Sequence, residues 1–263
     1  MKYKVNKLIL SLFIFSFGIA SAQDYEIQVY GSDILKNILM TEVHSNYTFG
    51  GIKEKENGIL PTHHMLHETL ELTYGFTDCW EIGFYLFNAV GSGNFSSVVG
   101  SHLSSKIVAP AKWHLPFGLG LSAETGTMKM EYVEDDWGLE IRPIIDKKIN
   151  EFYLSFNPVL EKSLHGAGQY QGFTFSPNVK ISFGVAKKTE FGIEYYGGIA
   201  PYNDYLKIND QQHLLFVTTD IDWWEKWEIN VGYGFALTKS TPDAILKTII
   251  GYKLGRNHKQ NKS

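Results

Sequence analysis

The chain has 263 residues, and its 24 lysines and arginines against 28 aspartates and glutamates give a formal net charge of −4. This mild acidity excludes a nucleic-acid partner, which would need a basic surface. The single cysteine, Cys79, excludes a fold that is held together by internal disulfides.

Residues 1–22 have the pattern of a secretory signal peptide. Three lysines among the first seven residues precede an apolar run over residues 8–19, and Ala20-Ser21-Ala22 forms a cleavage site. The run is shorter than the roughly 20 apolar residues of a membrane-spanning helix, although an uncleaved anchor is the alternative. We expect cleavage after Ala22, a periplasmic N-terminal segment over residues 23–37 and a barrel over residues 38–255.

Apolar and polar residues alternate with a period of two through residues 38–255, which predicts strands with one apolar and one wet face. Each predicted strand is close to the roughly 9–11 residues that a tilted strand needs to cross a bilayer. Twelve strands are predicted, at residues 39–49, 67–76, 80–87, 99–109, 117–126, 137–145, 151–161, 173–183, 189–199, 212–222, 227–237 and 244–254.

The links between these strands alternate in length, as in transmembrane barrels with periplasmic turns and longer extracellular loops. Short links are predicted at residues 77–79, 146–148, 186–188 and 222–226. Longer links are predicted at residues 50–65, 89–98, 162–171 and 200–211. The sequence therefore predicts an all-β protein: a closed antiparallel transmembrane β-barrel of about twelve strands with both termini periplasmic.

Tryptophans lie beside the predicted short links, and the C-terminus ends in a basic tail over residues 256–263. Aromatic rings favour the membrane interface, so we interpret these tryptophans as a girdle at one end of the barrel. A soluble β-sandwich with tryptophans in its core is the alternative. The girdle residues are Trp80, Trp113, Trp223, Trp224 and Trp227.

The polar faces of the strands would line the lumen of such a barrel. They would form either a polar conduit or ligand site, or a structural network of ion pairs that plugs the barrel. The predicted lumen-facing residues are Glu42, His44, Asn46, His67, Glu71, Glu81, Glu140, Arg142, Lys180, Glu194 and Asp220, together with Glu228 and Lys247.

The histidines do not match an enzyme motif. His67-Glu68-Thr69-Leu70-Glu71 lacks the second histidine of a zinc-protease helix and lies on a predicted strand. His44 and Ser45 are adjacent, so a strand points them to opposite faces and they cannot form the dyad of a lipid hydrolase. His165 could serve as the base from a loop, so this enzyme class stays open as an alternative. We assign no catalytic residue, cofactor or metal site, although His63, His64 and His67 leave a loop metal site open.

Six short stretches carry a resemblance to a known family: EIQVY at 26–30, VHSN at 43–46, HETLE at 67–71, LEIRPIIDK at 139–147, SLHG at 163–166 and FSPN at 175–178. Across the mature chain they resemble a family of uncharacterised outer-membrane β-barrel proteins of proteobacteria and related Gram-negative bacteria. More loosely, the chain is similar to barrels assigned to phenol degradation or to transport. The resemblance implies a barrel and brings no established activity, so no catalytic residue is carried over.

We therefore expect an outer-membrane barrel that transports or binds a small solute. A lipid- or lipopolysaccharide-modifying enzyme and a structural or adhesive barrel with a plugged lumen are the alternatives. The expected partners are outer-membrane lipid and lipopolysaccharide, a small solute, and the barrel-insertion machinery during biogenesis.

Overall fold

The computed structural model describes residues 25–55, 57–91, 96–201 and 206–255. The predicted signal peptide and the basic tail at residues 256–263 lie outside the described residues. The described chain forms one closed antiparallel barrel of twelve strands, which confirms the predicted fold. The strands are β1 (Leu39–Thr48), β2 (Met65–Thr77), β3 (Trp80–Val90), β4 (Ser96–Val108), β5 (Gly118–Met128), β6 (Trp137–Ile149), β7 (Phe152–His165), β8 (Thr174–Ala186), β9 (Thr189–Pro201), β10 (Gln212–Ile221), β11 (Trp227–Ala236) and β12 (Ala244–Leu254).

Each strand pairs with its neighbours in sequence, and β1 closes the barrel by pairing with β12. In this closing pair, Leu39 lies opposite Leu254 and Thr48 lies opposite Ile245. Closure satisfies the backbone groups that an open sheet would leave at its edges. Because the number of strands is even, β1 begins and β12 ends at the same end of the barrel.

The connections divide the barrel into a short-turn end and a loop end. The short-turn end carries the connections at residues 78–79, 109–117, 150–151, 187–188 and 222–226, and the loop end carries the other six. The predicted turn at residues 146–148 lies instead at 150–151, because β6 continues to Ile149 and Asn150 adopts the left-handed conformation with φ 54°. This extension of β6 leaves Asp146 inside the barrel, where it is buried.

The pattern of burial is inverted relative to a protein that is dissolved in water. Among the described residues, forty-five large apolar or aromatic side chains are exposed and only twenty-one apolar side chains are buried. Most of the exposed residues lie on the strands, as Val43, Leu103 and Ile193 do near the middle of β1, β4 and β9, and the rest lie in the connections and in residues 25–38. Such a continuous apolar belt is typical of a barrel that is embedded in a bilayer.

The tryptophans lie where the girdle interpretation expects them. All five predicted girdle tryptophans are exposed at the short-turn end, and Trp137 is exposed at the loop end. The indole N–H of Trp80 donates to the Ser105 hydroxyl at 3.0 Å, and that of Trp223 donates to the Thr189 hydroxyl at 2.8 Å. These contacts satisfy the polar edge of each ring while its apolar edge stays on the outer surface.

The described helices are three short 3-10 helices, at Ala111–Trp113, Ala167–Tyr170 and Ile208–Asp210. None of the described helices has the length and apolar character needed to cross a membrane.

Candidate functional site: the barrel lumen

Residues 25–38, here called the N-terminal segment, lie inside the barrel. The segment contacts side chains of strands on several sides of the lumen, including Asn46 on β1, Asn157 on β7 and Lys247 on β12. A single segment can reach these strands only from within the lumen. The sequence predicts a periplasmic segment at residues 23–37, whereas the described part of it lies inside the barrel.

Apolar side chains of the segment explain its position. Tyr25 is 3% exposed and packs in a cluster with Met65, Tyr85, Phe87, Ala89, Val99, Met128, Tyr132 and Val133. Ile27 and Val29 pack in a second cluster with Tyr196, Leu214, Phe216 and Ile245. Burial of one such side chain stabilises the folded state by about 1.5–3 kcal/mol. A segment that stayed in water would lack this stabilisation.

The backbone of the segment is held by side chains of the wall. The Tyr25 carbonyl accepts hydrogen bonds from the Thr69 hydroxyl at 2.8 Å and from Asn46 Nδ2 at 3.2 Å. The Ile27 carbonyl accepts one from Lys247 Nζ at 3.1 Å. In the described residues the segment makes one backbone bridge to a strand, between Lys36 and Gly75. The segment is therefore not a thirteenth strand.

Tyr30 lies at the centre of a polar network between the segment and the wall. The guanidinium of Arg142 stacks on the Tyr30 ring at 4.0 Å from its centroid, and Arg142 Nε donates to Glu140 at 2.7 Å. The Tyr30 hydroxyl contacts the Glu26 carboxylate and lies 3.0 Å from the Tyr85 hydroxyl. Arg142 thus joins the segment to β6 by charge, ring stacking and a hydrogen bond to the Gln28 carbonyl.

A second network of charges lies on β8, β9, β10 and β12. Lys247 is 1% exposed and pairs with Glu194, whose other oxygen lies 3.3 Å from Lys180 Nζ. Lys180 also pairs with Asp220 at 2.8 Å, and Asn230 donates to Asp220 at 2.7 Å. Buried charges need such partners because each is costly to remove from water.

The predicted lumen residues fall into several groups in the structure. Glu140 pairs with Arg142. The second network contains Lys180, Glu194, Asp220 and Lys247. The other predicted residues belong to neither network. Glu42, His44 and Glu71 lie together on β1 and β2, Glu81 pairs with Lys106 at 2.8 Å, Asn46 binds the segment and the His67 ring packs edge-on against Tyr25.

Several important residues were absent from the predicted set: Glu26, Tyr30, Tyr85, Lys106, Glu124 and Asn157. For Glu124 and Asn157 a signal was present, because they occupy inward positions in the alternating pattern of β5 and β7. For Glu26 and Tyr30 the signal was weaker. The alternation of Tyr25, Ile27 and Val29 with polar residues indicated that one face of this segment is buried, but not where.

The cavities of the described residues include two that are lined by the segment and one that lies away from it. Cavities of about 600 Å³ and 440 Å³ lie in the short-turn half of the lumen, and Gln28, Val29 and Asp33 line both of them. A cavity of about 170 Å³ opens at the loop end beside Glu124, Glu140 and other acids. Sixteen acidic residues and six lysines line these three cavities, so acidic side chains predominate in the lining.

Three of these acids lie in one row across three strands. Glu124 on β5 faces Glu140 on β6, which faces Glu161 on β7. Like charges that lie directly opposite each other destabilise a sheet. His102 Nδ1 lies 2.6 Å from Glu124, and Arg142 pairs with Glu140. Among the described residues, the row therefore has three carboxyl groups but only one arginine and one histidine as ion-pair partners.

The residues weighed for enzyme chemistry are separated by the barrel wall. His44 is fully buried on the lumen side, and Ser45 points to the other side of β1. His165 lies at the loop end, where its Nδ1 is 2.6 Å from Asp136. The rings of His63 and His64 lie 4.1 Å apart in the loop between β1 and β2, while His67 points into the lumen.

Neither known protein families nor curated proteins match the sequence. Solved structures match it in fold at low sequence identity. An outer membrane channel from Pseudomonas putida F1 has a TM-score of 0.57 and 12% identity, and the match covers 87% of this chain and 100% of that chain. The NanC porin has a TM-score of 0.54 and 9% identity over 81% of this chain and 100% of that chain.

The KdgM porin is a third match, with a TM-score of 0.53 and 10% identity over 82% of this chain and 99% of that chain. A further KdgM structure is a complex with disordered oligogalacturonate. The chain therefore shares the fold of twelve-stranded outer-membrane porins.

Proposed function

We propose that this chain is an outer-membrane channel for a small solute and that the N-terminal segment gates its lumen. The apolar belt and the fold shared with porins support the membrane location. The expected partners remain outer-membrane lipid and lipopolysaccharide, together with the insertion machinery that such barrels need.

The way in which the segment is seated carries the proposal. Wall side chains hold it at Tyr25, Ile27 and Tyr30, and water can replace each of these contacts when the segment moves. A strand of the barrel has no comparable freedom, because its backbone is paired on both sides. The cavities on either side of the segment extend the lumen around it.

The charge of the lumen favours a cationic or neutral solute. Clefts that are lined by one sign of charge concentrate ions of the opposite sign. With sixteen acids against six lysines along the cavities, an acidic solute such as the oligogalacturonate of the KdgM complex would be repelled here. We expect the open channel to prefer cations.

Planar-bilayer recordings of the refolded protein test this proposal. The full mature chain should show small or rare openings, and a variant without residues 23–34 should show larger and longer openings with a cation preference. This deletion keeps Lys36 and its bridge to Gly75, so the start of β1 stays anchored.

Two outcomes would overturn the proposal. If the deletion variant folds as a barrel but does not conduct, the lumen is a structural plug and the chain is not a channel. If both proteins conduct equally, the N-terminal segment is not a gate. A folded barrel is recognised by its β-type circular dichroism in each case.

A further inference from the structure

Three side chains that could bind a metal ion meet in the wall of the lumen. Glu42 and His44 lie two residues apart on β1 and therefore point to the same side, and Glu71 lies directly opposite Glu42 on β2. Each residue offers one ligand atom, and these three atoms all lie within 4.8 Å of one another.

Apart from its contact with Glu71, His44 has no polar partner among the described residues. Its side chain is fully buried, and among the described residues neither ring nitrogen makes a hydrogen bond. A buried polar group that lacks a hydrogen bond costs about 1–3 kcal/mol. A bound cation would remove that cost for one of the two ring nitrogens.

The spacing of His44 and Glu71 fits two ligands of one ion. His44 Nε2 lies 3.1 Å from Glu71 Oε2, yet this carboxylate oxygen also makes no hydrogen bond among the described residues. Zinc binds histidine nitrogen and carboxylate oxygen at about 2.0–2.2 Å, which places neighbouring ligand atoms about 3 Å apart. The two atoms thus have the separation of co-ligands without the alignment of a hydrogen bond.

The second oxygen of Glu71 is held in place. Glu71 Oε1 accepts a hydrogen bond from the Tyr85 hydroxyl at 2.9 Å, and Tyr85 in turn lies 3.0 Å from the Tyr30 hydroxyl. Carboxylates that bind metals are commonly oriented by such hydrogen bonds. Oε2 is therefore fixed toward His44.

The charges around the cluster leave room for a cation. Neighbouring lysines already have carboxylate partners: Lys106 pairs with Glu81, and Lys247 pairs with Glu194. No ion pair of Glu42 with a lysine or arginine is found in the described part of the chain. Glu42 and Glu71 also line the 440 Å³ cavity, which gives an ion a route of entry and space for water ligands.

We propose that Glu42, His44 and Glu71 form a binding site for a divalent first-row transition metal ion. One imidazole and two carboxylates suit zinc, manganese or iron(II), whereas calcium takes oxygen ligands alone. The site goes beyond the proposed channel function, and a barrel that never conducts would still bind the ion here.

Calorimetric titration with Zn²⁺ tests the site. The mature chain, refolded in detergent without a histidine tag and with Cys79→Ser to remove the thiol, is first stripped with a chelator. The titration should give one Zn²⁺ per chain, and Ca²⁺ should not compete at equal concentration. His44→Gln and Glu71→Gln should each weaken Zn²⁺ binding at least tenfold.

The loop histidines provide the matched control. The double variant His63→Ala/His64→Ala removes two adjacent imidazoles outside the lumen and should bind Zn²⁺ like the parent. Equal binding by His44→Gln and the parent, or loss of binding in the loop variant, would overturn the proposal.

A second measurement separates lost binding from lost folding. Zn²⁺ should raise the thermal unfolding temperature of the parent but not that of Glu71→Gln, in which Tyr85 can still donate to the amide oxygen. A parent whose unfolding temperature and calorimetric trace do not respond to Zn²⁺ has no such site.

Discussion

Asn157 binds the backbone of Tyr30 at both of its polar groups. Its Oδ1 accepts a hydrogen bond from the Tyr30 N–H at 2.7 Å, and its Nδ2 donates to the Tyr30 carbonyl at 3.1 Å. One side chain of β7 thereby makes both backbone hydrogen bonds of Tyr30 that a neighbouring strand would make in a sheet. Asn157 is fully buried, so water does not reach its amide from outside.

Asn157→Ala should loosen the N-terminal segment. The Tyr30 carbonyl keeps its bond from the Ser155 hydroxyl at 2.7 Å, but the Tyr30 N–H loses the partner that the structure gives it. We expect a loss of about 1–3 kcal/mol in the free energy of unfolding. We also expect more frequent openings in planar-bilayer recordings of the full mature chain.

Thr218→Ala is the control for this variant. Thr218 is 1% exposed on the lumen side of β10, and among the described residues its hydroxyl makes no hydrogen bond. Its openings should match those of the parent. If both variants open equally often, any substitution in the lumen increases opening. The hydrogen bonds between Asn157 and Tyr30 are then not what keeps the channel closed.

Lys247→Met should destabilise the barrel more than loss of a surface lysine. Lys247 joins the Ile27 carbonyl to Glu194, and its removal leaves a buried carboxylate with only Lys180 as its charged partner. Breaking a buried ion pair typically costs about 3–5 kcal/mol. Urea unfolding in detergent should show this loss.

Lys148→Met is the matched control, because Lys148 pairs with Glu190 at 3.6 Å and is largely exposed. Exposed pairs contribute about 0–1 kcal/mol. The double variant Lys247→Met/Glu194→Gln should lose less stability than the two single variants together, because the unpaired carboxylate is gone. Additive losses would contradict the coupling of Lys247 to Glu194.

The strands could be predicted from the sequence because their signal is local. In β8, residues Val179 and Ile181 face outward and Lys180 faces inward, and this alternation repeats in every strand. The turn between β6 and β7 was misplaced because Asp146 and two lysines resemble a turn. Asp146 instead accepts two hydrogen bonds from Ser32, which lies more than a hundred residues earlier in the chain.

The position of the N-terminal segment could not be predicted either, because its partners also lie far away in the chain. Tyr25, Ile27 and Val29 alternate with polar residues as they would in any half-buried strand. This pattern predicts that their side chains are buried, but it does not predict which residues they pack against. The partners are Phe216 and Ile245 for Ile27, and Asn157 for Tyr30. Likewise, Glu42, His44 and Glu71 were each predicted to face the lumen, but their meeting depends on the register between β1 and β2.

The row of acids at the loop end should set ion preference. In the variant without residues 23–34, Glu124→Gln/Glu161→Gln removes two of the three facing carboxylates and leaves the Glu140 pair with Arg142 intact. Loss of two negative charges weakens the attraction for cations. The reversal potential in a tenfold KCl gradient should move toward zero.

Glu68→Gln is the control for the acidic row, since Glu68 lies on β2 and contacts Asn88 rather than the row. Its reversal potential should equal that of the deletion variant alone. If the row variant keeps its full cation preference, the acids at the loop end do not select the ion.

Glu134, in the loop between β5 and β6, gives a prediction about pH. Burial and then the neighbouring Asp135 raise the pKa of Glu134 above its ordinary value of 4.5. The folded state therefore holds this proton more tightly than the unfolded state. Stability falls as pH rises from below 4.5 through the raised pKa of the folded state, and it stays lower above that window.

Glu134→Gln removes this penalty, so the variant should unfold at a higher temperature than the parent at pH 7. At pH 3, where Glu134 is protonated in both states, the two unfolding temperatures should agree. Glu131→Gln removes the same charge from an exposed position in the same loop and controls for net charge. An equal gain from Glu131→Gln at pH 7, or a gain from Glu134→Gln that persists at pH 3, would show that the raised pKa is not the cause.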